Sequence, residues 1–294
     1  MPQLTANGIT LEYDTFGDPA DPALLLVMGL GAQMTAWDPG LCQLLVDKGF
    51  HVIRFDNRDA GLSQSFDDHP VDAAAVMAGD ASSAPYKLAD MADDAAALLA
   101  ELGIDRAHVV GASMGGMIVQ ELLIRHPDRL LSACSIMSTT GDTTVGASTP
   151  EAMAALQAPP PQTAEEAGEA AVRASRVIGS TGFPFDEERV RAAGKASFER
   201  ARRPMGFVRQ FAAIIASGDR TEGLRSVTVP TLVIHGEADP LLNVSGGKAT
   251  AAAIPNSRLL VIPGMGHDLP APAWPQIVDA IADNAARAGS SATV

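Results

Sequence analysis

A serine hydroxyl is a weak nucleophile at neutral pH and becomes useful only beside a base that a carboxylate orients. One stretch of the chain sets a serine up for that work: Gly111-Ala-Ser113-Met-Gly115, followed at once by Gly116. The apolar run 107–110 ahead of it reads as a strand, and 117–126 behind it reads as a helix. Gly-x-Ser-x-Gly at a strand-to-helix junction is the pattern of a nucleophile elbow. A sharp, strained turn lifts the hydroxyl off the sheet, and small flanking residues let the two backbones nearly touch. Gly111, Gly115 and Gly116 meet that demand. The free N–H groups at the start of the helix then face the place where an oxyanion forms, and Met114 supplies one of them. In a chain with 27 glycines the bare motif also reads as a glycine-rich turn, and the flanking strand and helix decide for the catalytic reading.

Catalytic groups of open parallel sheets gather beyond the carboxyl ends of the strands. Two loops qualify besides the elbow: Gly236-Glu-Ala-Asp239 after the strand-like run 229–235, and Pro263-Gly-Met-Gly-His267 after 258–262. The order Ser113, Asp239, His267 is that of one known arrangement of this triad. Of the six histidines, only His267 sits on a glycine-flanked loop after the last strand. His51 and His108 open strands, His126 ends the elbow helix and His69 lies in an irregular loop, so structural or solvated roles are expected of them. His235 ends a strand and reads as a satisfied buried histidine. Glu237 and Asp268 are the competitors of Asp239 for the orienting role.

The elements that must hold these residues alternate between strand and helix, the signature of a mostly parallel sheet covered on both faces. Residues 4–16 form a hairpin around Asn7-Gly8. Ala23-Leu-Leu-Leu-Val-Met28 is a continuous apolar run, as in a strand buried on both faces. Further strands are expected at 50–55, 107–110 and 131–137. From about 138 to 220 no strand-like run appears, and helices are expected at 149–157, 163–179, 186–203 and 205–216. Thr163-Ala-Glu-Glu166 is the capping box of the second. The predicted organisation is an α/β core made of 1–138 and 221–294, with 139–220 inserted as a helical cap.

Composition narrows the class. The chain has 294 residues, 47% hydrophobic, with a net charge of −14, which argues against nucleic acid or an anionic membrane surface as partner. Its apolar runs are strand-length, so no membrane span is expected, and the first residues lack a basic region followed by an apolar stretch. A cytoplasmic protein is expected. Cys42 and Cys134 are too far apart for a metal motif and read as small buried hydrophobes.

On Val27-Met-Gly-Leu-Gly31, Arg54-Phe-Asp-Asn-Arg-Asp-Ala-Gly-Leu-Ser63, Gly111-Ala-Ser-Met-Gly115, Pro230-Thr-Leu-Val-Ile-His-Gly-Glu-Ala-Asp239 and Pro263-Gly-Met-Gly-His267, the chain resembles the α/β-hydrolase fold enzymes over essentially its whole length. Asp21-Pro-Ala-Leu-Leu-Leu-Val-Met-Gly29, Gly179-Ser-Thr-Gly-Phe-Pro-Phe-Asp186 and Ile262-Pro-Gly-Met-Gly-His267 carry a closer likeness to the serine esterase branch that contains aclacinomycin methylesterase. The resemblance implies hydrolysis through an acyl-enzyme, without cofactor or metal, on a small-molecule ester. It also implies a second oxyanion donor, which in the family follows a His-Gly pair. Here the pair is Met28-Gly29, so Leu30 would donate, but methionine cannot supply the hydrogen bonds with which a histidine supports the loop. Asp56, Arg58 and Ser63 resemble a scaffold loop that braces its neighbours. Met28, Gly29, Phe183, Phe207 and Phe211 are the expected pocket residues. The same triad also serves perhydrolysis or haloperoxidase-type chemistry, lactone opening and C–C hydrolysis, and a non-catalytic ligand-binding protein on this fold is the reading from another class.

Overall fold

The computed structural model describes residues 1–290. Eight strands, β1 (Gln3–Ala6), β2 (Ile9–Phe16), β3 (Ala23–Val27), β4 (His51–Phe55), β5 (Ala107–Ala112), β6 (Leu130–Ile136), β7 (Thr231–Gly236) and β8 (Arg258–Ile262), form one sheet in the order β1-β2-β4-β3-β5-β6-β7-β8. β1 pairs antiparallel with β2, and β2 with β4; every later pairing is parallel. The first hairpin turns at Asn7 and Gly8, both at positive φ (50° and 76°), as a tight primed turn requires.

Strands β3, β4, β5 and β7 are buried along their whole length, because helices cover both faces of the sheet. Side chains alternate between two cores. Leu25, Val27, Ile53 and Val109 pack on one face beneath α3 (Leu88–Glu101) and α4 (Met114–Arg125). Leu24, Leu26, Val52 and Val110 pack on the other beneath α1 (Pro39–Val46) and α11 (Trp274–Ser290). Short helices α9 (Thr221–Leu224) and α10 (Ser245–Ala253) pack beside α4 and β7, and α2 (Ala73–Met77) packs on the helix 204–217. Helix α4 begins at Met114, three positions before the start read from the sequence. Gly115 and Gly116 belong to the helix because its first turn must pass close to β3 and β6.

Ahead of α9, the chain between β6 and β7 forms α5 (Pro150–Leu156), α6 (Ala164–Ile178), α7 (Glu187–Arg200) and α8 (Pro204–Ser217). The Thr163 hydroxyl caps α6 by accepting the Glu166 N–H at 3.1 Å, and the Glu166 carboxylate accepts the Gln162 N–H at 2.8 Å, one residue outside the usual reciprocal bond. α7 buries none of its residues, whereas α8 buries Val208, Arg209, Gln210, Ala212 and Ala213 against the core. The ends of this helical segment meet at one point. Buried Arg220 donates from Nη2 to the Thr139 carbonyl at 3.0 Å, and its own N–H reaches the Thr140 carbonyl at 2.9 Å. Among the described residues no helix is long and apolar enough to cross a membrane.

Candidate active site

Ser113 is placed by backbone contacts that leave no room for side chains. A Cβ at Gly111 would lie 2.1 Å from the Gly115 carbonyl oxygen, and one at Gly115 would lie 2.1 Å from that of Val27. Ser113 forms the whole turn between β5 and α4 and sits at φ 56°, ψ −120°, a conformation that non-glycine residues adopt only when the surroundings impose it. Its N–H donates to the Ile136 carbonyl at 2.9 Å, which pins the turn to β6.

Beyond the carboxyl ends of β7 and β8 stand the other two residues. His267 Nε2 lies 3.0 Å from Ser113 Oγ, and His267 Nδ1 lies 2.7 Å from Asp239 Oδ2. A carboxylate only accepts, so the imidazole proton sits on Nδ1 and leaves Nε2 free to accept the serine proton. Asp239 is buried, and its other oxygen accepts the Leu241 and Leu242 N–H groups at 2.9 Å each. Burial opposes its charge, yet hydrogen bonds from His235 and His267, the nearby imidazole and the Leu242 N–H outweigh that and hold the carboxyl at about 2. His235 Nε2 donates to the Leu242 carbonyl at 2.7 Å and stands 3.5 Å from Asp239 Oδ2. Its buried Nδ1, packed against Gly247, has no hydrogen-bond partner among the described residues, so this histidine is only half satisfied there.

The competing acids go elsewhere. Glu237 is exposed. Asp268 turns away from the imidazole and accepts the Ser180 N–H at 2.9 Å and the Ser180 hydroxyl. Burial pushes its carboxyl up, opposed by those Ser180 bonds. The remaining histidines are distant from the triad in role: His108 Nδ1 meets Ser132 Oγ at 2.8 Å, and His126 Nε2 meets Asp93 at 2.7 Å. Both cysteines are buried and free.

Met114 and Leu30 both line a cavity of about 300 Å³ together with Ser113 and His267. Among the described residues neither N–H donates to an acceptor within the protein. The loop carrying Leu30 passes close to Ser113: a Cβ at Gly29 would lie 3.1 Å from that of Ser113. Met28 gives no polar support, and other side chains hold this loop instead. Asn57 Nδ2 donates to the Met28 carbonyl at 2.9 Å, Asp56 accepts the Met34 N–H at 2.7 Å, and Gln210 Oε1 accepts the Gly31 N–H at 2.7 Å. Arg200 from α7 adds a bond to Gln33 and an ion pair with Asp56, both at 2.7 Å. Ser63 Oγ donates to the Asp56 carbonyl and accepts the Glu12 N–H, and Arg58 pairs with buried Asp94 through two bonds of 2.6 Å.

The loop carrying His267 is held by the end of α6 and the residues just after it. The His267 N–H donates to the Ile178 carbonyl at 2.7 Å, and the Gly266 N–H donates to Ser180 Oγ at 3.0 Å. The N–H groups of Thr181 and Gly182 reach the Gly264 carbonyl at 3.0 and 2.9 Å. Gly264 and Gly182 pass so closely that a Cβ on either would meet the other's Cα within 2.7 Å.

Met28, Gly29 and Phe211 line the cavity, with Met153, Leu156 and Ile214 among the other apolar walls. Phe183 and Phe207 do not. Phe207 lies on the outer side of the loop, where its ring abuts Gly31. Beside the docking of 179–182 on the His267 loop, Phe183 packs half-buried against the edge of the second core. Gln210, Asn57 and Ser180 were not singled out in the sequence. The available signal was Arg209-Gln210 inside the apolar stretch Phe207 to Ile215, a polar pair where the helix has to bury something. Among the described residues no group of three or more His, Cys, Asp or Glu side chains is placed to share a metal ion.

Residues 22–271 match the alpha/beta hydrolase fold family. The chain belongs to it. Rhodomycin D methylesterase from Streptomyces peucetius is 30% identical, covering 91% of this chain and 92% of that protein. A 3-oxoadipate enol-lactonase from Acinetobacter baylyi is 28% identical over 88% of this chain and 87% of its own. Among solved structures, a thermophilic esterase from Thermogutta terrifontis superposes with a TM-score of 0.73 at 23% identity, covering 98% of this chain and 99% of that one, a likeness of fold.

Proposed function

We propose that this α/β-hydrolase is a serine esterase that cleaves small-molecule carboxylic esters through an acyl-enzyme. The family and the methylesterase relatives make it a carboxylic ester hydrolase. The observation that carries the finer reading is the unbroken chain Ser113 Oγ, His267 Nε2, His267 Nδ1, Asp239 Oδ2, with contacts of 3.0 and 2.7 Å.

In that reading Ser113 Oγ attacks the acyl carbon while its proton passes to His267 Nε2. The carbonyl oxygen becomes an oxyanion, held by the N–H groups of Leu30 and Met114. Collapse expels the alcohol, which takes the proton from His267. Water then attacks the acyl-serine, His267 serves as base again, and the acid leaves. Asp239 stays ionised and keeps the imidazole in the productive tautomer throughout. The apolar walls favour an apolar group next to the scissile bond, and the helices of 139–220 act as the cap over it.

Lactone opening is the second reading. The enol-lactonase relative favours it, and a lactone is an internal ester open to the same attack. The test measures hydrolysis of p-nitrophenyl esters and of simple lactones before and after a serine-directed phosphonate, with intact mass recorded. One adduct on Ser113 with loss of turnover is expected. Ser113→Ala should lower kcat by roughly 10³-fold or more with the fold intact. Near-normal turnover by that variant would overturn the assignment.

A further inference from the structure

Accepting the serine-esterase reading, we infer that Gln210, on helix α8 of the inserted segment, is the positioning residue of the oxyanion hole, in the place left open by Met28. The Leu30 N–H is useful only if it points at the oxyanion, and a loop over a cavity does not hold such a direction unaided. The next amide, Gly31 N–H, is the handle. Its direction is set by the rotation about the Leu30 backbone, so gripping it restrains the orientation of Leu30 itself.

Gln210 grips it with a side chain that is fully buried. Oε1 accepts the Gly31 N–H at 2.7 Å, and Nε2 donates to the Arg58 carbonyl at 2.7 Å. One partner can only donate and the other only accept, so the orientation of the amide is determined by its surroundings. Arg58 belongs to the loop after β4, itself locked by the Arg58–Asp94 and Arg209–Asp59 pairs. Gln210 thus ties the oxyanion loop to a rigid anchor. From the same helix, Phe207 packs against Gly31, which sits at φ 67° with no space for a Cβ. Asn57 and Asp56 hold the loop's two ends, at Met28 and Met34; Gln210 is the side chain that grips its middle.

The amide must also be neutral. A carboxylate at this place would face the Arg58 carbonyl without a proton to donate, and would set a negative charge near the developing oxyanion.

The test uses the full chain and three variants, Gln210→Leu, Gln210→Met and Gln210→Glu. Kinetics on a p-nitrophenyl ester are measured beside affinity for a trifluoromethyl ketone, which forms a tetrahedral adduct on the serine. Each variant should lose roughly 10- to 100-fold in kcat with KM within about twofold, and ketone affinity should fall in step with kcat/KM. Gln210→Glu should be the most impaired, and its loss should lessen at low pH, where the carboxyl regains a proton to donate. Unchanged kcat and ketone affinity in folded variants would overturn the inference. So would losses that merely track the fraction of protein folded. Wild-type amide exchange supplies a readout independent of folding in the variants: the Gly31 N–H should be as protected as the core amides of β3, and rapid exchange would overturn the brace. A wild type that turns over no ester and binds no ketone would refute the esterase reading, while Gly31 protection would still report on the brace.

Discussion

The elbow and the two loops facing it are held by opposite means. Around Ser113 the placement is local: glycines within five residues remove every obstacle between β5 and α4, and backbone contact does the rest. Around Leu30 and His267 the placement is remote. Gly31 is held by Gln210, Gln33 by Ser197 and Arg200, and Gly266 by Ser180, all from the segment between β6 and β7. In the proposed reading the nucleophile is held by the sheet, while the oxyanion donor and the base are held also by the segment between β6 and β7.

Breaking the local half should have the largest effect. Gly111→Ala forces a Cβ to within 2.1 Å of the Gly115 carbonyl, and no flexible side chain is there to yield. A loss of about 3 kcal/mol in stability is expected, together with loss of phosphonate labelling at Ser113; denaturant midpoints and intact mass check both. A variant of normal stability would show that the turn is looser than its geometry implies.

Breaking the remote half should spare the fold and weaken the chemistry. Ser180→Ala removes the acceptor of the Gly266 N–H and a donor to Asp268. We expect roughly a tenfold fall in kcat, with a stability loss of about 1 kcal/mol or less, because the Thr181 and Gly182 bonds to Gly264 remain. Equal losses in Ser180→Ala and Gly111→Ala would erase the distinction between the two halves.

The smallest effect concerns a site outside both. Burial pushes His108 down to about 4 from the ordinary 6.5, so the unfolded chain takes up a proton that the folded chain resists. That contribution to stability is complete above about pH 6.5 and is lost as the pH falls toward 4. His108→Gln should flatten the decline of the denaturant midpoint between those values without altering ester turnover near neutrality. Asp239, held at about 2, is a stabilising carboxylate whose contribution disappears only between roughly pH 4 and pH 2, so the two windows separate.

What could be read from the sequence follows the same division. Strands such as Ala23–Val27 and the glycine-spaced elbow are legible because their causes lie within a few residues. The convergence of Asp239 and His267 on Ser113 was legible because the loop after each strand of a parallel sheet opens on the same side. Gln210 was not, since its partner is 179 positions away and nothing near it in the chain asks for an amide. Phe183 and Phe207 lie outside the cavity beside Ser113 for a related reason: an aromatic ring must pack somewhere, and which neighbour receives it is settled only by docking. The start of α4 was misjudged because consecutive glycines look like a loop until the backbone they must pass is known.

The grip of Gln210 on Gly31 also bears on inheritance. Loop and helix form a matched pair in this chain, so replacing one alone leaves the other's polar group without its partner. A chimera given a foreign segment 139–220 with an apolar residue at the place of Gln210 would keep its elbow and triad, yet leave the Gly31 amide buried without an acceptor. Restoring that one amide is then the first correction such a graft requires.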